Sequence, residues 1–348
     1  MSLTLEHHKL FSHWDRVHAW LQGEAVIPPT VEVSPSSACN HRCLMCGYDH
    51  LGHRRGIMDP ALLQSICQDV AAAGVRGLVF AGDGEPFANR GLLPAMAASR
   101  AAGADVAVST NGALIRDQDL PLLAELLTWI RFSVNGTEDE EYARVHGCDR
   151  RVFGEVWRRI EGLVAAKRRL ASPVTIGVQM VLLPENIAGA ARLAARAREA
   201  GVDYFVMKPF LHNPKNAYAA GVDYQAHAAT LEAATTLATT GFTSQMRWDT
   251  VRCQPRGYRQ CLAWPFLLYV RTDAALMPCL ARQEEDRLSL GNLATGGFAA
   301  LCRQARQGGV ATAMAAIDVA TCQPSCRHHS MNNALWQMLH PGPHRSFV

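Results

Sequence analysis

The sequence predicts an α/β fold built on a parallel sheet, and three observations carry that expectation. Short β-branched runs alternate with Ala/Leu-rich helical stretches six times over about 200 residues, the beat of strands joined by helical crossovers. Polar and Gly-rich groups follow most of the strands, where parallel α/β folds place their active sites. Six units fall short of the eight of a closed barrel, which leaves an open, partial barrel or a doubly wound sheet. The chain has 348 residues, 49% apolar and 19% charged, enough for a full core and too apolar for wholesale disorder.

Residues 5–22 place Leu5, Leu10, Phe11, Trp14, Val17 and Leu21 near helical spacing, an amphipathic helix. Pro28 and Pro29 end this lead-in. Strands follow at Val31–Ser34, Leu78–Ala81, Val106–Ser109, Ile130–Val134, Val174–Leu182 and Tyr204–Met207. Helices fit between them at Pro60–Ala73, Leu92–Ala102, Gln118–Leu127, Gly154–Leu170 and Ile187–Ala200. After about residue 215 the beat breaks down into one helix at 221–240, then short strands, turns and cysteines, so a boundary is expected between 215 and 250. The most apolar run, Cys261 to Val270, suits a buried strand.

The formal charge of +3 gives no electrostatic footprint for nucleic acid. No run approaches ~18 apolar residues, so no membrane span is expected. The N-terminus lacks a basic segment followed by an apolar one, so a cytoplasmic protein is expected. In that setting the eleven cysteines read as reduced thiols available for metal chemistry rather than as disulfides. They form two centres. Cys39, Cys43 and Cys46 lie together near the start, and Cys253, Cys261, Cys279, Cys302, Cys322 and Cys326 fall in the last hundred residues, with Cys67 and Cys148 isolated.

Cys39-Asn-His-Arg-Cys43-Leu-Met-Cys46 is a C-x₃-C-x₂-C run. A zinc site would want a fourth ligand, for which His41 and His50 are available, but the spacing fits no common zinc pattern. Three thiolates on one loop suit a [4Fe–4S] cluster with one iron left open. The run follows the first strand, Gly82-Asp83-Gly84-Glu85-Pro86 follows the second, Ser109-Thr110-Asn111-Gly112 the third, and Ser133-Val134-Asn135-Gly136 ends the fourth. Over residues 30–215 this succession resembles the radical S-adenosylmethionine (SAM) superfamily.

The resemblance implies a partial (β/α)6 TIM-type barrel. It also implies a cluster on Cys39, Cys43 and Cys46 whose open iron holds SAM, and reductive cleavage of SAM to a 5′-deoxyadenosyl radical. Gly84 and Glu85 match the Gly-Gly-Glu segment that meets the methionine amino group, with Asp83 in place of the first Gly. Ser109, Asn111, Ser133 and Asn135 match positions that hold the ribose or carboxylate. Met45 stands where the family usually has an aromatic residue against adenine, and a Met still offers a soft apolar surface there. A flavodoxin or ferredoxin would supply the electron.

In the second centre, Cys261 and Cys279 are separated by 17 residues and Cys322 and Cys326 by three. Four cysteines fill a tetrahedral-type site, and zinc is the alternative, although its usual close pairs fit the long gap poorly. The layout resembles the auxiliary-cluster domains of radical SAM enzymes, called SPASM or, in shortened form, twitch. It lacks the cysteine-dense stretch of the full form and is closest in spacing to the aminocyclitol-oxidising members of butirosin-type pathways. This implies three parts: a lead-in at 1–29, the barrel at 30–215, and a twitch/SPASM-like domain at 216–348 with an auxiliary [4Fe–4S] cluster on Cys261, Cys279, Cys322 and Cys326. Cys253 and Cys302 are spare, and either is a possible replacement.

The implied activity is abstraction of a carbon-bound hydrogen beside a hydroxyl of a small sugar, aminocyclitol or nucleoside in antibiotic biosynthesis. Dehydrogenation, decarboxylation or epimerisation would follow, making the enzyme an oxidoreductase or a lyase. Lys208 and His212 are the candidate catalytic residues, with Gln179 and Asn213 as further substrate contacts. A peptide-modifying maturase is the alternative. Such enzymes often carry an N-terminal recognition domain, and only about 30 residues precede the first strand here.

Overall fold

The computed structural model describes residues 9–53, 56–251, 256–324 and 326–343. The expected strands form β1 (Thr30–Val33), β2 (Gly77–Phe80), β3 (Asp105–Thr110), β4 (Trp129–Ser133), β5 (Thr175–Leu182) and β6 (Tyr204–Pro209), each paired in parallel with the next. After the lead-in helix α1 (Trp14–Leu21), the crossovers carry α2 (Pro60–Ala72), α3 (Leu92–Ala101), α4 (Leu120–Leu126), α5 (Asp139–His146), α6 (Arg151–Arg169) and α7 (Ala190–Ala200). Local chemistry sets their ends. Asp59 accepts bonds from the backbone N–H groups of Ala61 and Leu62 at the start of α2, with Pro60 in the first turn. Gly201, at φ 80°, closes α7 in the left-handed conformation.

Alternation along the strands sorts their side chains. Val31, Val33, Leu78, Phe80, Val106, Val108, Ile130, Phe132, Ile176, Val178, Phe205 and Met207 are buried in one core with the helices. Their neighbours point the other way, into the barrel: Glu32, Ser109, Arg131, Ser133, Gln179, Tyr204 and Lys208. The outer face of the sheet therefore carries the apolar stability, and the inner face is left free for polar groups.

The chain after β6 extends this sheet at both edges. It contains α8 (Ala228–Thr235), β7 (Thr243–Met246), α9 (Trp248–Val251), β8 (Leu267–Val270), β9 (Ala275–Met277), β10 (Gly291–Asn292), α10 (Phe298–Gln307), α11 (Gly309–Ala315) and α12 (His329–Leu339). β7 joins β6 in parallel, β8 joins β1 in parallel, and β9 and β10 continue antiparallel, giving the order β10-β9-β8-β1-β2-β3-β4-β5-β6-β7. Among the described residues β7 and β10 have no further partner, so the barrel stays open. The beat was expected to break down after about residue 215, but α8 carries one more helical crossover into the parallel strand β7, whose Thr-Ser-Gln-Met is too short and polar to announce itself in sequence. The apolar run ending at Val270 supplies β8.

The lead-in differs from its expectation. Leu10 and Val17 are buried, whereas Phe11 and Trp14 are 67% and 54% exposed, because a 3₁₀ turn at Leu10–His13 breaks the helical phase. Leu5 lies outside the described residues. No described helix is long and apolar enough to cross a membrane.

Candidate active site

The loop after β1 carries Cys39, Cys43 and Cys46 and is gripped from three sides. Gly84 approaches so closely that a Cβ there would stand 2.5 Å from the Ser36 carbonyl oxygen, and the Glu85 N–H donates to the Ala38 carbonyl at 3.0 Å. Asn111 Nδ2 donates to Asn40 Oδ1 at 2.9 Å and lies 4.0 Å from Cys39 Sγ. On the far side the N–H groups of Arg42 and Leu44 donate to the carbonyls of His146 and Val145 at the end of α5. Gly147 then turns away at φ 58°, where a Cβ would meet the Arg42 carbonyl oxygen at 2.3 Å.

The three thiols share one electrostatic environment. Burial, then the charges of Cys46 and Cys39, push the Cys43 thiol well up. Burial raises Cys39 to about 11, with Cys46 adding to the shift, and it raises Cys46 as well. Thiolates crowded in this way repel one another unless a cationic centre lies between them, which is the condition a metal cluster meets. His41 sits beside them, 2% exposed, with both ring nitrogens buried and unpartnered, and burial holds its pKa at about 4. His146, invisible in the sequence pattern, lies with Nδ1 3.6 Å from Cys43 Sγ and stacks on Tyr142 at 3.9 Å. The ligand atoms of His41, Cys43 and His146 lie within 4.8 Å of one another. His50 faces away, 3.0 Å from Asn216 Oδ1.

The carboxylate of Glu85 accepts from Thr110 Oγ1 at 2.6 Å, from the Asn111 N–H at 2.8 Å and from the Phe87 N–H at 3.2 Å. Glu85 thus ties the loop after β2 to the end of β3. Asp83 accepts from Ser34 Oγ at 2.8 Å and from the Tyr269 hydroxyl at 3.3 Å, so the residue that replaces a Gly links β2 to β8. Asn135 is 2% exposed, and its Oδ1 accepts from the Val181 N–H at 2.6 Å while its own N–H donates to His146 Nε2 at 3.0 Å. Its amide braces β4 against β5. Met45 is partly buried on the cysteine loop.

Inside the barrel, Ser109 accepts from Arg131 Nη2 at 3.2 Å, and Ser133 stands in register with Gln179. Lys208 is deeply placed on β6, and burial together with the charges of Arg131, Arg247 and Arg327 lowers its pKa to about 8. His212, by contrast, is exposed on the loop beyond β6. That loop docks on the cysteine loop: Asn213 Nδ2 donates to the Gly47 carbonyl at 2.8 Å, and Asn216 Nδ2 donates to the Cys46 carbonyl. Arg131 belongs to no motif, and its signal in the sequence is a charge between Ile130 and Phe132 in an alternating strand.

The structure gathers the second set of cysteines. Cys261, Cys279, Cys322 and Cys326 act on one another electrostatically, and burial raises Cys261 to about 12 and Cys326 to about 11. Compensating donors surround them: Asn332 Nδ2 is 3.7 Å from Cys261 Sγ and Arg282 Nη2 is 3.7 Å from Cys322 Sγ. Cys302 lies elsewhere in the core on α10, where Arg303 and Asp69 are the charges that act on it. Cys253 lies outside the described residues. Cys67 is fully buried, and Cys148 is partly buried beside Asp149.

The family model of the Radical SAM superfamily matches residues 33–207, half of the chain. A tungsten-containing aldehyde ferredoxin oxidoreductase cofactor-modifying protein of Pyrococcus furiosus is 28% identical over 181 residues, covering 51% of this chain and 50% of its own. A probable GTP 3′,8-cyclase of Methanothermobacter marburgensis is 26% identical over 138 residues, 39% of this chain and 44% of its own. The chain thus spans about half the length of the curated relatives it matches. Among solved structures, Streptococcus suis SuiB superposes with a TM-score of 0.66 at 12% identity, covering 87% of this chain and 73% of that one. Native anSMEcpe with bound AdoMet superposes with a TM-score of 0.60 at 19% identity, covering 86% and 88%. At these identities the likeness is one of fold.

Proposed function

The chain belongs to the radical SAM superfamily, and from that premise we propose that it removes a carbon-bound hydrogen atom from a small hydroxylated molecule. A [4Fe–4S] cluster and SAM, which the family implies, would supply the 5′-deoxyadenosyl radical for that abstraction. Cys39, Cys43 and Cys46 would hold the cluster, and the burial of all three thiols, with Cys46 raising both of the others, supports that assignment. The Gly84–Glu85 segment and Asn111 fix the cysteine loop against the ends of β2 and β3, and so fix where SAM would lie. Ser109 and Ser133 face the same interior near the ends of β3 and β4, where its ribose or carboxylate would lie.

The observation that carries the substrate reading is the polar inner face of the barrel. Arg131, Gln179 and Lys208 stand on the inward-facing positions of β4, β5 and β6, and the loop after β6 docks on the cysteine loop. Such groups orient a hydroxylated molecule so that one C–H faces the reacting carbon, where small misplacement costs rate steeply. An aminocyclitol, sugar or nucleoside fits this description, with dehydrogenation, decarboxylation or epimerisation as the outcome. A flavodoxin or ferredoxin would deliver the electron that SAM cleavage needs.

We assign an auxiliary [4Fe–4S] site, of the twitch type, to Cys261, Cys279, Cys322 and Cys326. A donor set filled by four thiolates leaves no place for substrate, so electron exchange is the task that suits it.

The test is isotopic. With candidate sugars, aminocyclitols and nucleosides, deuterium on the reacting carbon is expected in 5′-deoxyadenosine. Transfer of deuterium from a peptide, and from none of these molecules, would establish a peptide-modifying maturase instead.

A further inference from the structure

His146 closes α5 against the cysteine loop, and backbone bonds set its place there. The N–H groups of Arg42 and Leu44, one on each side of Cys43, donate to the carbonyls of His146 at 3.0 Å and of Val145 at 2.9 Å. The ring is 1% exposed, stacked on Tyr142 with centroids 3.9 Å apart and met edge-on by His41 at 5.3 Å. Held in this way, the imidazole turns one nitrogen to Cys43 and the other to Asn135 at the end of β4.

Asn135 decides which nitrogen carries the proton. Its backbone N–H donates to His146 Nε2 at 3.0 Å, and its side-chain Nδ2 lies 3.1 Å from the same nitrogen. The side-chain amide cannot be turned round, because Oδ1 accepts from the Val181 N–H at 2.6 Å. Two donors aimed at Nε2 leave it no proton, so the ring is neutral with its hydrogen on Nδ1. Nδ1 lies 3.6 Å from Cys43 Sγ, within reach of an N–H···S bond, and among the described residues it has no other partner. The remaining polar contacts at the thiols of this loop serve a different sulfur: the His41 N–H and Asn111 Nδ2 both approach Cys39.

We propose that His146 is a positioning residue for the iron–sulfur centre: Asn135 fixes its tautomer, and its Nδ1–H donates to the sulfur of Cys43. Asn135, matched from the sequence to a SAM contact, then acts through His146, with its amide engaged at both ends. This rests on the assignment of the cluster to Cys39, Cys43 and Cys46. A donor aimed at a ligating sulfur draws charge from it, favours the reduced form of a cluster and so raises its reduction potential. His146 thereby brings the centre nearer to what a one-electron donor of the flavodoxin or ferredoxin kind can reduce.

Two substitutions exchange the contacts. His146→Asn keeps a donor at the δ position, toward the sulfur, and loses the acceptor for Asn135. His146→Gln keeps an acceptor at the ε position for Asn135 and loses the δ donor. The midpoint potential of each reconstituted protein is read by anaerobic redox titration with electron paramagnetic resonance, on the reduced-cluster signal that changes when SAM is added. His146→Gln should lower the reduction equilibrium constant about tenfold, which is ~59 mV for one electron, while His146→Asn stays within about twofold of wild type. Equal shifts in both, a shift in His146→Asn alone, or none in either would overturn the proposal, because packing alone does not tell the δ position from the ε. If neither variant assembles the cluster, wild type still decides. With histidine labelled by 15N, the same signal should carry a nitrogen coupling that survives His41→Phe. Absence of that coupling, or its loss in His41→Phe, would overturn the proposal. A wild type with no SAM-responsive signal at all would overturn the cluster assignment itself, and the proposal with it.

Discussion

Replacing Lys208 by Met should make the protein more stable and less active at once. In the folded protein burial and the neighbouring arginines lower the ammonium from its ordinary 10.5 to about 8. One pH unit is worth about 1.4 kcal/mol, so keeping Lys208 charged at neutral pH costs the fold on the order of 3 kcal/mol. Solvent reaching the accessible part of the side chain reduces this to about 1–2 kcal/mol. Met has a similar length and no charge. Lys208→Met should therefore raise the unfolding free energy by about that amount at pH 7.

The pH dependence separates this cause from better packing. Below about 8 both the folded and the unfolded chain hold the proton, and the full cost is present. Between about 8 and 10.5 the unfolded chain binds more protons than the folded one, so wild-type stability gains on the variant as pH rises. The assay is anaerobic denaturant unfolding of both proteins across that window, with SAM cleavage measured alongside. A variant less stable than wild type at pH 7, or a difference that stays flat through the window, would refute the reasoning.

Four further outcomes follow from the geometry. Glu85→Ala should lower stability by about 1–3 kcal/mol, because Thr110 Oγ1 and the Asn111 N–H lose their acceptor, and should weaken SAM binding while iron content holds; unchanged melting and unchanged SAM affinity would contradict this. Gly84→Ala should cost about 1–3 kcal/mol and reduce iron incorporation at the first centre, since the new Cβ collides with the backbone before Cys39. Reconstituted protein should carry about eight irons, and about four after Cys39, Cys43 and Cys46 are all changed to Ala; zinc at the C-terminal thiols of anaerobically purified protein would sink the auxiliary assignment. Cys302→Ala should leave the iron content unchanged, because that thiol lies in the core apart from the four gathered ones.

What was legible in the sequence was whatever local chemistry determines. The Cys39–Cys46 run, the Gly84–Glu85 turn and the βα beat are short-range patterns; the six expected strands begin and end within a residue or two of expectation, while α6 starts three residues earlier and α7 three residues later than expected. The spare thiol Cys302 could not be sorted from Cys279 by spacing, because membership of the second centre depends on where β9 and the 322–326 loop meet in space. His146 was out of reach for the same reason, lying 103 residues from Cys43. Arg131 is a different case. A charge flanked by Ile130 and Phe132 in a strand whose alternate residues are buried must face the opposite side of the sheet, and in a barrel that side is the interior. Burying a guanidinium there is tolerable only with compensation, and Ser109 satisfies one nitrogen where at least two seek a partner. Arg131 thus breaks the apolar rule for its strand without carrying any motif. Strand parity alone places it on the inner face of the sheet, where no motif marks it.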